Sequence, residues 1–254
     1  VLDFLPNLKF IATRSTGFDH IDIKECQKRN ISVSNVPYYG ENTVAEHTFA
    51  LILALSRKIY QSAERTKKSD ISLDGLRGFD LKGRTLGIVG LGHIGQHVAR
   101  IANGFEMNVI ACDQKEDKKL AKSLKLKYVS LEDLLKNSDI ISLHVPLNDQ
   151  TKHLINQQNT DLIKRGAVLI NTARGGIIET EALVEALGKG ILAGAGLDVL
   201  EGERQFKKGV AIPILNMQNV IVTPHMAFYS KEAKMRIMNT TIENIKAFIS
   251  GNPI

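Results

Sequence analysis

The sequence predicts an α/β protein with a doubly wound parallel sheet. From Thr85 onward, short apolar runs alternate regularly with helical patterns, as expected when parallel strands are joined by crossing helices. A glycine-rich turn at residues 90–95 lies between the first of these strands and its helix. The chain has 254 residues, of which 43% are hydrophobic and 24% charged, and this suffices for one large or two modest globular domains.

The glycine-rich turn is bounded by a strand and a helix. Residues 86–89 form a short apolar run typical of a buried strand, and residues 96–105 place apolar side chains at helical spacing. Between them, the sequence GLGHIG has glycine at its first, third and sixth positions. Such glycines permit a tight turn, a close approach of the backbone to a pyrophosphate, and close packing of the helix on the strand. The three residues are Gly90, Gly92 and Gly95.

An acidic residue follows at a spacing typical of dinucleotide sites. A second apolar strand, residues 107–112, ends at Asp113. A carboxylate there can accept hydrogen bonds from the adenosine ribose and would repel a 2′-phosphate, so it favours NAD over NADP. A glycine-rich turn without a ligand is the alternative. The order of strand, turn, helix, strand and Asp113 favours a Rossmann-type NAD site.

The first forty residues predict a smaller α/β segment. Strands are expected at Lys9–Thr13 and Ile31–Val36, with a helix at Ile21–Arg29 between them. The loop of residues 14–19 is small and polar. It could offer backbone N–H groups to an anion, or it could be a plain turn in which Asp19 caps the helix.

A long helix is expected to connect this segment to the glycine-rich region. Residues 37–40 mark a break, and an apolar helix is predicted over Glu41–Ser62, followed by a polar, irregular connection at 63–84. Beyond Asp113 the alternation continues, with a looser loop at 200–213. Further strands are predicted at 139–145, 167–173, 193–199 and 220–223, and further helices at 118–124, from Ser130, at 159–164, 180–189 and 231–250.

Polar side chains follow three of the later strands, at the edge where ligands bind in an open parallel sheet. Arg174 follows one strand and His225 follows another. Asp198, Glu201 and Glu203 come at the end of the strand between them in sequence. The pattern predicts an arginine, a carboxylate and a histidine on one edge of the sheet.

These three residue types suit the interconversion of a 2-hydroxy acid and a 2-oxo acid, which moves a hydride at carbon and a proton at oxygen. Histidine suits the proton transfer because its ordinary pKa is near neutral. A neighbouring carboxylate fixes the imidazole tautomer, and an arginine can bind the substrate carboxylate and polarise the carbonyl. We therefore expect Arg174, a glutamate and His225 to act on a small 2-oxo or 2-hydroxy acid.

Each of these residues has a plainer alternative. Arg174 could bind phosphate at a helix start, Glu203 could be a solvated loop charge, and His225 could be a turn histidine. His144 competes with His225 because it also ends a strand, although the Val145-Pro146 that follows suggests a loop against the cofactor. The remaining histidines suit caps, helix surfaces or packing, and no metal site is predicted. They are His20, His47, His93, His97 and His153.

Composition argues against several other classes. The formal net charge of +6 comes mainly from scattered lysines without interleaved aromatic residues, which indicates a solvated surface and no nucleic-acid partner. The longest apolar run, Thr48–Leu55, is too short to span a bilayer, so no membrane partner is expected. Cys26 and Cys112 indicate reduced thiols, although two cysteines could form one disulfide. These observations predict a soluble cytoplasmic protein.

Seven motifs spread over nearly the whole chain carry a resemblance to a known family. They are RSTGFDHID at 14–22, VAEH at 44–47, GLGHIG at 90–95, HVPL at 144–147, NTARGG at 171–176, GLDV at 196–199 and TPHMAFY at 223–229. In this order they resemble the D-isomer-specific 2-hydroxyacid dehydrogenases, and within that family the D-lactate dehydrogenase branch.

The resemblance implies roles for particular residues. Arg174 would bind the substrate, and Glu203 would pair with the acid/base His225, the spacing from Asp198 favouring Glu203 over Glu201. The substrate-binding residues implied are Thr16, Gly17, Tyr39 and Phe228. The cofactor-binding residues implied are Gly90, Gly92, His93, Ile94, Gly95, Asp113, His144, Pro146, Thr172 and Asp198, with NAD as the cofactor.

The resemblance also implies two domains and a homodimer formed through the cofactor domain. An NAD-binding Rossmann domain is expected at 41–227, and a substrate domain at 1–40 and 228–254. The latter would be a partial flavodoxin-like domain lacking its N-terminal part, because family members carry further strands before the equivalent of Leu8. Two alternatives to an active enzyme follow: an NAD(H)-binding, dehydrogenase-like corepressor, and an inactive fragment that still binds NAD.

Overall fold

The computed structural model describes residues 1–203 and 212–251, and the chain divides into two units. Unit 1 comprises Val1–Thr43 and Phe228–Ile254, and unit 2 comprises Val44–Ala227. The predicted loop at 200–213 lies partly outside the described residues, which give only its two ends.

Strands and helices alternate along most of the described chain. The strands are β1 (Phe10–Ala12), β2 (Ser32–Ser34), β3 (Thr85–Val89), β4 (Asn108–Cys112), β5 (Leu126–Tyr128), β6 (Ile140–Leu143), β7 (Ala167–Asn171), β8 (Leu192–Leu197) and β9 (Val220–Val222). The helices are α1 (Ile23–Lys28), α2 (Glu41–Ser56), α3 (Ile59–Lys67), α4 (His93–Gly104), α5 (Lys118–Ser123), α6 (Leu131–Asn137), α7 (Thr180–Gly188) and α8 (Lys231–Ile249).

The sheet of unit 2 confirms the predicted doubly wound parallel fold. Among the described residues its strands lie in the order β5-β4-β3-β6-β7-β8-β9, and every neighbouring pair is parallel. The chain runs outward from β3 to β5 and then adds β6 to β9 on the other side of β3. Ligands bind at such a reversal of strand order, beyond the carboxyl ends of the strands. The glycine-rich turn follows β3 and therefore lies at this position.

The central strands of this sheet are buried on both faces. Every residue of β6 and β7 is buried, which is why these strands are continuous apolar runs without alternation. One core cluster contains Ile52 of α2, Leu86 of β3 and Val98 of α4. A second contains Leu134 of α6 and Leu183 of α7. Packing in these two clusters holds the strands in place, and so it positions the strand ends that carry the candidate site.

The predicted helix over Glu41–Ser62 is wrong at its C-terminal end. Helix α2 stops at Ser56, Lys58 adopts a left-handed backbone with φ of 53°, and α3 begins at Ile59. The N–H of Phe79 donates to the Ser56 carbonyl at 2.9 Å, taking the acceptor that residue 60 would use in a continuous helix. The apolar pattern crosses both helices, so it gave no sign of the break.

Three further elements differ from the sequence prediction. Helix α3 extends to Lys67, into the segment predicted to be irregular at 63–84. The helix predicted at 159–164 is only a 3-10 turn, Thr160–Leu162, because asparagine side chains in this segment bond the local backbone. Strand β5 was missed because its sequence, LKY, has an exposed lysine at its centre and gives no apolar run.

Unit 1 contains a two-stranded parallel sheet, formed by β1 and β2 with α1 connecting them. The ring of Phe10 in β1 stacks on Phe248 of α8, with ring centroids 4.5 Å apart. The side chain of Asn244 in α8 donates to the carbonyl of Asn35 at 2.9 Å. Helix α8 is therefore held against this sheet by both apolar and polar contacts.

Both cysteines are free thiols. Cys26 is buried in unit 1, and Cys112 ends β4 in unit 2. Burial raises the pKa of the Cys112 thiol, and the nearby Asp113 and Glu116 carboxylates raise it further, so this thiol is protonated at neutral pH. No helix in the described ranges is both long and apolar enough to cross a membrane.

Candidate active site

The turn after β3 leaves a helix N-terminus open. Gly90 has φ of 92°, and a Cβ there would lie 2.7 Å from the His144 carbonyl oxygen. A Cβ at Gly95 would lie 2.2 Å from the Gly90 carbonyl oxygen, so α4 packs closely against the turn. Gly92 precedes α4 with no side-chain cap, and a Cβ there would meet nothing within 4 Å. The open space and the uncapped helix start fit a bound pyrophosphate.

Asp113 joins this turn to the end of β4. Its Oδ2 accepts from the N–H of Leu91 at 2.6 Å, and its Oδ1 accepts from the N–H of Lys115 at 3.0 Å. Each carboxylate oxygen can accept a second hydrogen bond, so these contacts leave capacity for the two ribose hydroxyls. The accepting oxygens and the negative charge of Asp113 fit the ribose of NAD.

His144 lies on the other side of the glycine-rich turn and is unsuited to proton transfer. The backbone N–H of His144 donates to the Val89 carbonyl at 2.7 Å, and Nε2 of its ring lies 2.8 Å from the Ser142 hydroxyl. Burial lowers the pKa of His144 to about 3, although part of the residue reaches the surface. The imidazole is neutral near pH 7, so the structure gives no support to His144 as a competitor of His225.

Two further residues predicted to bind the cofactor lie on nearby loops of unit 2. Pro146 is exposed, and its carbonyl accepts from the Thr151 hydroxyl at 2.5 Å. Thr172 is buried after β7, with its Oγ1 3.0 Å from Oγ1 of Thr48 in α2. His93 and Ile94 occupy the first turn of α4. Their contacts with NAD stay predictions.

His225 and Glu203 form an imidazole–carboxylate pair. Nδ1 of His225 lies 2.9 Å from Oε1 of Glu203, and because a carboxylate only accepts, Nδ1 carries the proton. Oε2 of Glu203 accepts from the N–H of Leu200 at 3.0 Å, which closes the turn that carries the glutamate. Within the described residues Nε2 of His225 makes no hydrogen bond, and the side chain is 44% exposed.

Asp198 holds the turn that carries His225. Its carbonyl accepts from the His225 N–H at 2.8 Å, while its carboxylate accepts from the N–H groups of Met226 at 2.8 Å and Ala227 at 2.7 Å. The Thr223 hydroxyl donates to the same carboxylate. These bonds stabilise the left-handed conformation of His225, whose φ is 52°.

The Asp198 carboxylate is 1% exposed yet charged. Burial alone would raise its pKa, but hydrogen bonds from His47, Thr223 and two backbone N–H groups outweigh burial and lower the pKa. Nε2 of His47 lies 3.1 Å from the Thr223 hydroxyl and 3.5 Å from Asp198 Oδ1. His47, predicted from the sequence to be a cap, a helix-surface residue or a packing residue, thus belongs to the support of His225. The VAEH motif was the one available signal for it.

Arg174 follows β7 at the same edge of the sheet. The buried Asn171 side chain donates to the Arg174 carbonyl at 2.9 Å and accepts from the Ala173 N–H at 3.0 Å. Nη1 of Arg174 donates to the Ala173 carbonyl at 2.8 Å. The ends of the adjacent strands β7, β8 and β9 thus bring Arg174, the Asp198–Glu203 segment and His225 to one edge, as the sequence predicted.

A second histidine–glutamate pair lies in the same unit. Nε2 of His153 is 2.6 Å from Oε1 of Glu201, and Oε2 of Glu201 accepts from the N–H of Thr180 at 3.4 Å and from its hydroxyl at 3.2 Å. Glu201 was the alternative partner of His225, and the structure places it on His153. This contact of His153 could not be predicted from the sequence, because His153 lies far from Glu201 in the chain.

The four substrate-binding residues predicted from the resemblance lie in unit 1. The Thr16 hydroxyl donates to the Val36 carbonyl at 3.0 Å. In the described ranges the N–H groups of Thr16 and Gly17 make no hydrogen bond. The rings of Tyr39 and Phe228 meet edge to face, with centroids 6.3 Å apart. Their roles toward a substrate stay predictions.

The described residues contain no group of three or more histidine, cysteine, aspartate or glutamate side chains that could hold a metal ion. His93 and His97 are four residues apart on α4, and such a helical pair alone lacks the further ligands that a metal site needs.

Comparison with known proteins identifies the type of domain. Residues 49–227 match the family model described as D-isomer specific 2-hydroxyacid dehydrogenase, NAD binding domain. A glyoxylate reductase of Korarchaeum cryptofilum is 39% identical over 99% of this chain and 76% of its own length. A D-specific alpha-keto acid dehydrogenase of Enterococcus faecalis is 41% identical over 95% of this chain and 76% of its own length.

A solved structure agrees with these matches. The D-lactate dehydrogenase of Aquifex aeolicus, complexed with NAD and lactic acid, superposes with a TM-score of 0.91 at 42% identity. The superposition covers 99% of this chain and 79% of that one.

Proposed function

The chain belongs to the D-isomer-specific 2-hydroxyacid dehydrogenase family, and on that premise we propose that it interconverts pyruvate and D-lactate. It is an NAD-dependent oxidoreductase of that family, with its NAD-binding domain at residues 49–227. Support for lactate comes from the similar structure that holds NAD and lactic acid. Because other relatives are glyoxylate reductases, the proposal extends to small 2-oxo acids as a class.

The observation that carries the proposal is the 2.9 Å contact between His225 Nδ1 and Glu203 Oε1. The contact holds the proton on Nδ1 and directs Nε2 away from the carboxylate. When pyruvate is reduced, the imidazolium gives its Nε2 proton to the oxygen that develops negative charge; when D-lactate is oxidised, Nε2 removes the hydroxyl proton. The Glu203 carboxylate stabilises the imidazolium in both directions.

Arg174 is proposed to bind the substrate carboxylate and to stabilise the charge that develops on the carbonyl oxygen. The bound cofactor would supply the hydride as NADH in reduction and accept it as NAD⁺ in oxidation. Gly92 and the start of α4 would hold the pyrophosphate, and Asp113 would hold the ribose. The Asn171 side chain fixes the backbone from which the Arg174 side chain extends.

Unit 1 is proposed to be the substrate domain. The N–H groups of Thr16 and Gly17 would donate to the substrate carboxylate. The edge-to-face pair of Tyr39 and Phe228 would limit the size of the substrate side chain, which favours pyruvate over branched 2-oxo acids. We also propose that the protein is a cytoplasmic homodimer.

Oxidation of NADH by the purified, folded protein tests the proposal. Pyruvate, glyoxylate, hydroxypyruvate and 2-oxoisocaproate are compared at equal concentration, with NADPH in a parallel series. We expect the highest kcat/KM with pyruvate and NADH, and D-lactate as the product by chiral analysis. Turnover with none of the four acids, in a preparation that enhances NADH fluorescence, would indicate a binding protein or an inactive fragment instead.

A further inference from the structure

Glu201 connects three segments of unit 2. Its Oε1 lies 2.6 Å from Nε2 of His153, in the loop after β6. Its Oε2 accepts from the N–H and the hydroxyl of Thr180, the first residue of α7. Glu179 precedes α7 without a side-chain cap, so Glu201 caps this helix from a distant part of the chain. A single carboxylate thereby ties the loop after β8 to two other segments.

The segment after Arg174 packs directly against the backbone of this loop. A Cβ at Gly175 would lie 2.1 Å from the carbonyl carbon of Leu200 and 2.4 Å from the nitrogen of Glu201. The N–H of His153 donates to the carbonyl of Gly176 at 2.9 Å. His153 therefore holds the segment after Arg174 with its backbone and the loop after β8 with its imidazole.

The same loop carries Glu203 two residues later. The N–H of Glu203 donates to the Leu200 carbonyl at 3.3 Å, and the Leu200 N–H donates back to the Glu203 carboxylate at 3.0 Å. Because this turn is closed, a displacement of Glu201 would also move the Glu203 carboxylate that contacts His225. Because Gly175 packs against the same loop, a displacement of the loop would also move Arg174.

We propose that Glu201 and His153 are positioning residues. Together they hold Glu203 in contact with His225, and they hold Arg174 at the same edge of the sheet. The proposal rests on the proposed function, because it assigns these residues to the geometry of that reaction. Neither residue touches the reacting atoms. The contact requires an ionised carboxylate with two accepting oxygens, since one oxygen serves His153 and the other serves Thr180.

The deciding variant is Glu201→Gln, which keeps the shape of the side chain but has one accepting oxygen. We expect kcat to fall about 10-fold, a fraction of the 10²-fold that a 1 Å misplacement can cost, with the Kd for NADH unchanged. His153→Gln keeps a donor near the position of Nε2 and should retain most of the activity, whereas His153→Ala should resemble Glu201→Gln. Glu185→Gln is the matched control, because Glu185 is exposed on α7 and, among the described residues, forms an ion pair only with Lys189.

A spectroscopic readout separates positioning from stability. The Nδ1 proton of His225 is observed by nuclear magnetic resonance of ¹⁵N-labelled protein, and it is assigned by its disappearance in His225→Asn. Glu201→Gln should shift or broaden this resonance, and Glu185→Gln should leave it unchanged. A Glu201→Gln protein with a lower Tm but the wild-type resonance and kcat would overturn the proposal.

This design distinguishes failure of the inference from failure of the proposed function. If the wild-type protein turns over none of the 2-oxo acids, the proposed function is wrong, and the resonance alone decides whether Glu201 positions Glu203. If the wild type is active and both readouts are unmoved in Glu201→Gln and His153→Ala, the inference is wrong and the function stands. Should Glu201→Gln fail to fold, the two His153 variants carry the same comparison.

Discussion

The two histidine–glutamate pairs of unit 2 are built alike and held differently. Both histidines adopt left-handed backbone conformations, with φ of 52° at His225 and 50° at His153, and both contacts are within hydrogen-bonding distance, at 2.9 Å and 2.6 Å. His225 contacts Glu203 through Nδ1, so its Nε2 can bind another group. His153 contacts Glu201 through Nε2. Glu203 bonds its own turn, while Glu201 bonds α7. Under the proposed function, identical residue types serve proton transfer in one pair and anchoring in the other, according to which of their atoms are already bonded.

The strongest test of this difference replaces each histidine by the amide that best preserves its contact. His225→Asn keeps a donor near the position of Nδ1 and removes Nε2, and we expect kcat to fall by about 10²–10⁴ with NADH binding intact. His153→Gln keeps a donor near Nε2 and should lower kcat less than about 3-fold, because no proton moves through it. Steady-state kinetics and NADH fluorescence measure both variants. Equal losses of kcat would mean that the two pairs do not differ in role.

The second test disturbs the contact on which both pairs depend. In Gly175→Ala, the new Cβ would lie 2.1–2.4 Å from backbone atoms of Leu200 and Glu201, so the two segments must separate. We expect a loss of about 1–3 kcal/mol in the free energy of unfolding and a decrease of about 10²-fold in kcat. Gly188→Ala in α7 is the control, because a Cβ there meets nothing within 4 Å. Wild-type kcat in Gly175→Ala would show that this contact does not position the site.

The sequence predicted the His225 pair better than the His153 pair for a physical reason. Strand ends in a parallel sheet meet at one edge, so a polar residue after each strand is a candidate before any contact is known. Arg174 and His225 follow the ends of β7 and β9 almost directly, so this rule predicts both residues. His153 lies ten residues beyond β6, in a loop whose path depends on tertiary packing. Spacing along the chain gives no sign that it meets Glu201.

The same difference applies to the fold: elements set by local sequence patterns were predictable, and features set by contacts between distant residues were not. The parallel sheet was predictable because buried strands are continuous apolar runs separated by helical patterns. The end of α2 was not, because a hydrogen bond from Phe79 to Ser56, far apart in sequence, ends a helix whose apolar pattern continues. The contacts of His47 with Thr223 and Asp198 are equally nonlocal.

The third test concerns a support that only His225 has. Asp198→Asn leaves one accepting oxygen for the N–H groups of Met226 and Ala227 and the Thr223 hydroxyl. A buried donor without a partner costs about 1–3 kcal/mol, so the free energy of unfolding should fall by that amount and kcat with it. Denaturant titration and steady-state kinetics measure the two effects. The exposed Asp161→Asn should change neither.

A reorganised turn is the specific outcome expected for Asp198→Asn. Both readouts should change together, because the same carboxylate stabilises the turn and orients His225. Lower stability with unchanged kcat would mean that Asp198 supports the fold without orienting the imidazole, and that the left-handed backbone of His225 is held by other contacts.

The smallest expected effect is the acid sensitivity of the His153 pair. Burial alone would raise the pKa of Glu201, but hydrogen bonds from His153 and Thr180 outweigh burial and lower the pKa below 4.5. A carboxylate with a lowered pKa stabilises the fold fully above its unfolded pKa, and it loses this contribution as the pH falls through its folded pKa.

Because both side chains are about one-third exposed, at 36% and 35%, water screens the pair, and we expect the pair to contribute about 0.5–1 kcal/mol to the free energy of unfolding at pH 7. Thermal unfolding of the wild type and Glu201→Gln at a series of decreasing pH values should therefore show a difference that is constant well above pH 4.5 and decreases as the pH falls below it. A difference that grew as the pH fell would mean that Glu201 is protonated in the folded protein, and the anchoring role would then rest on packing alone.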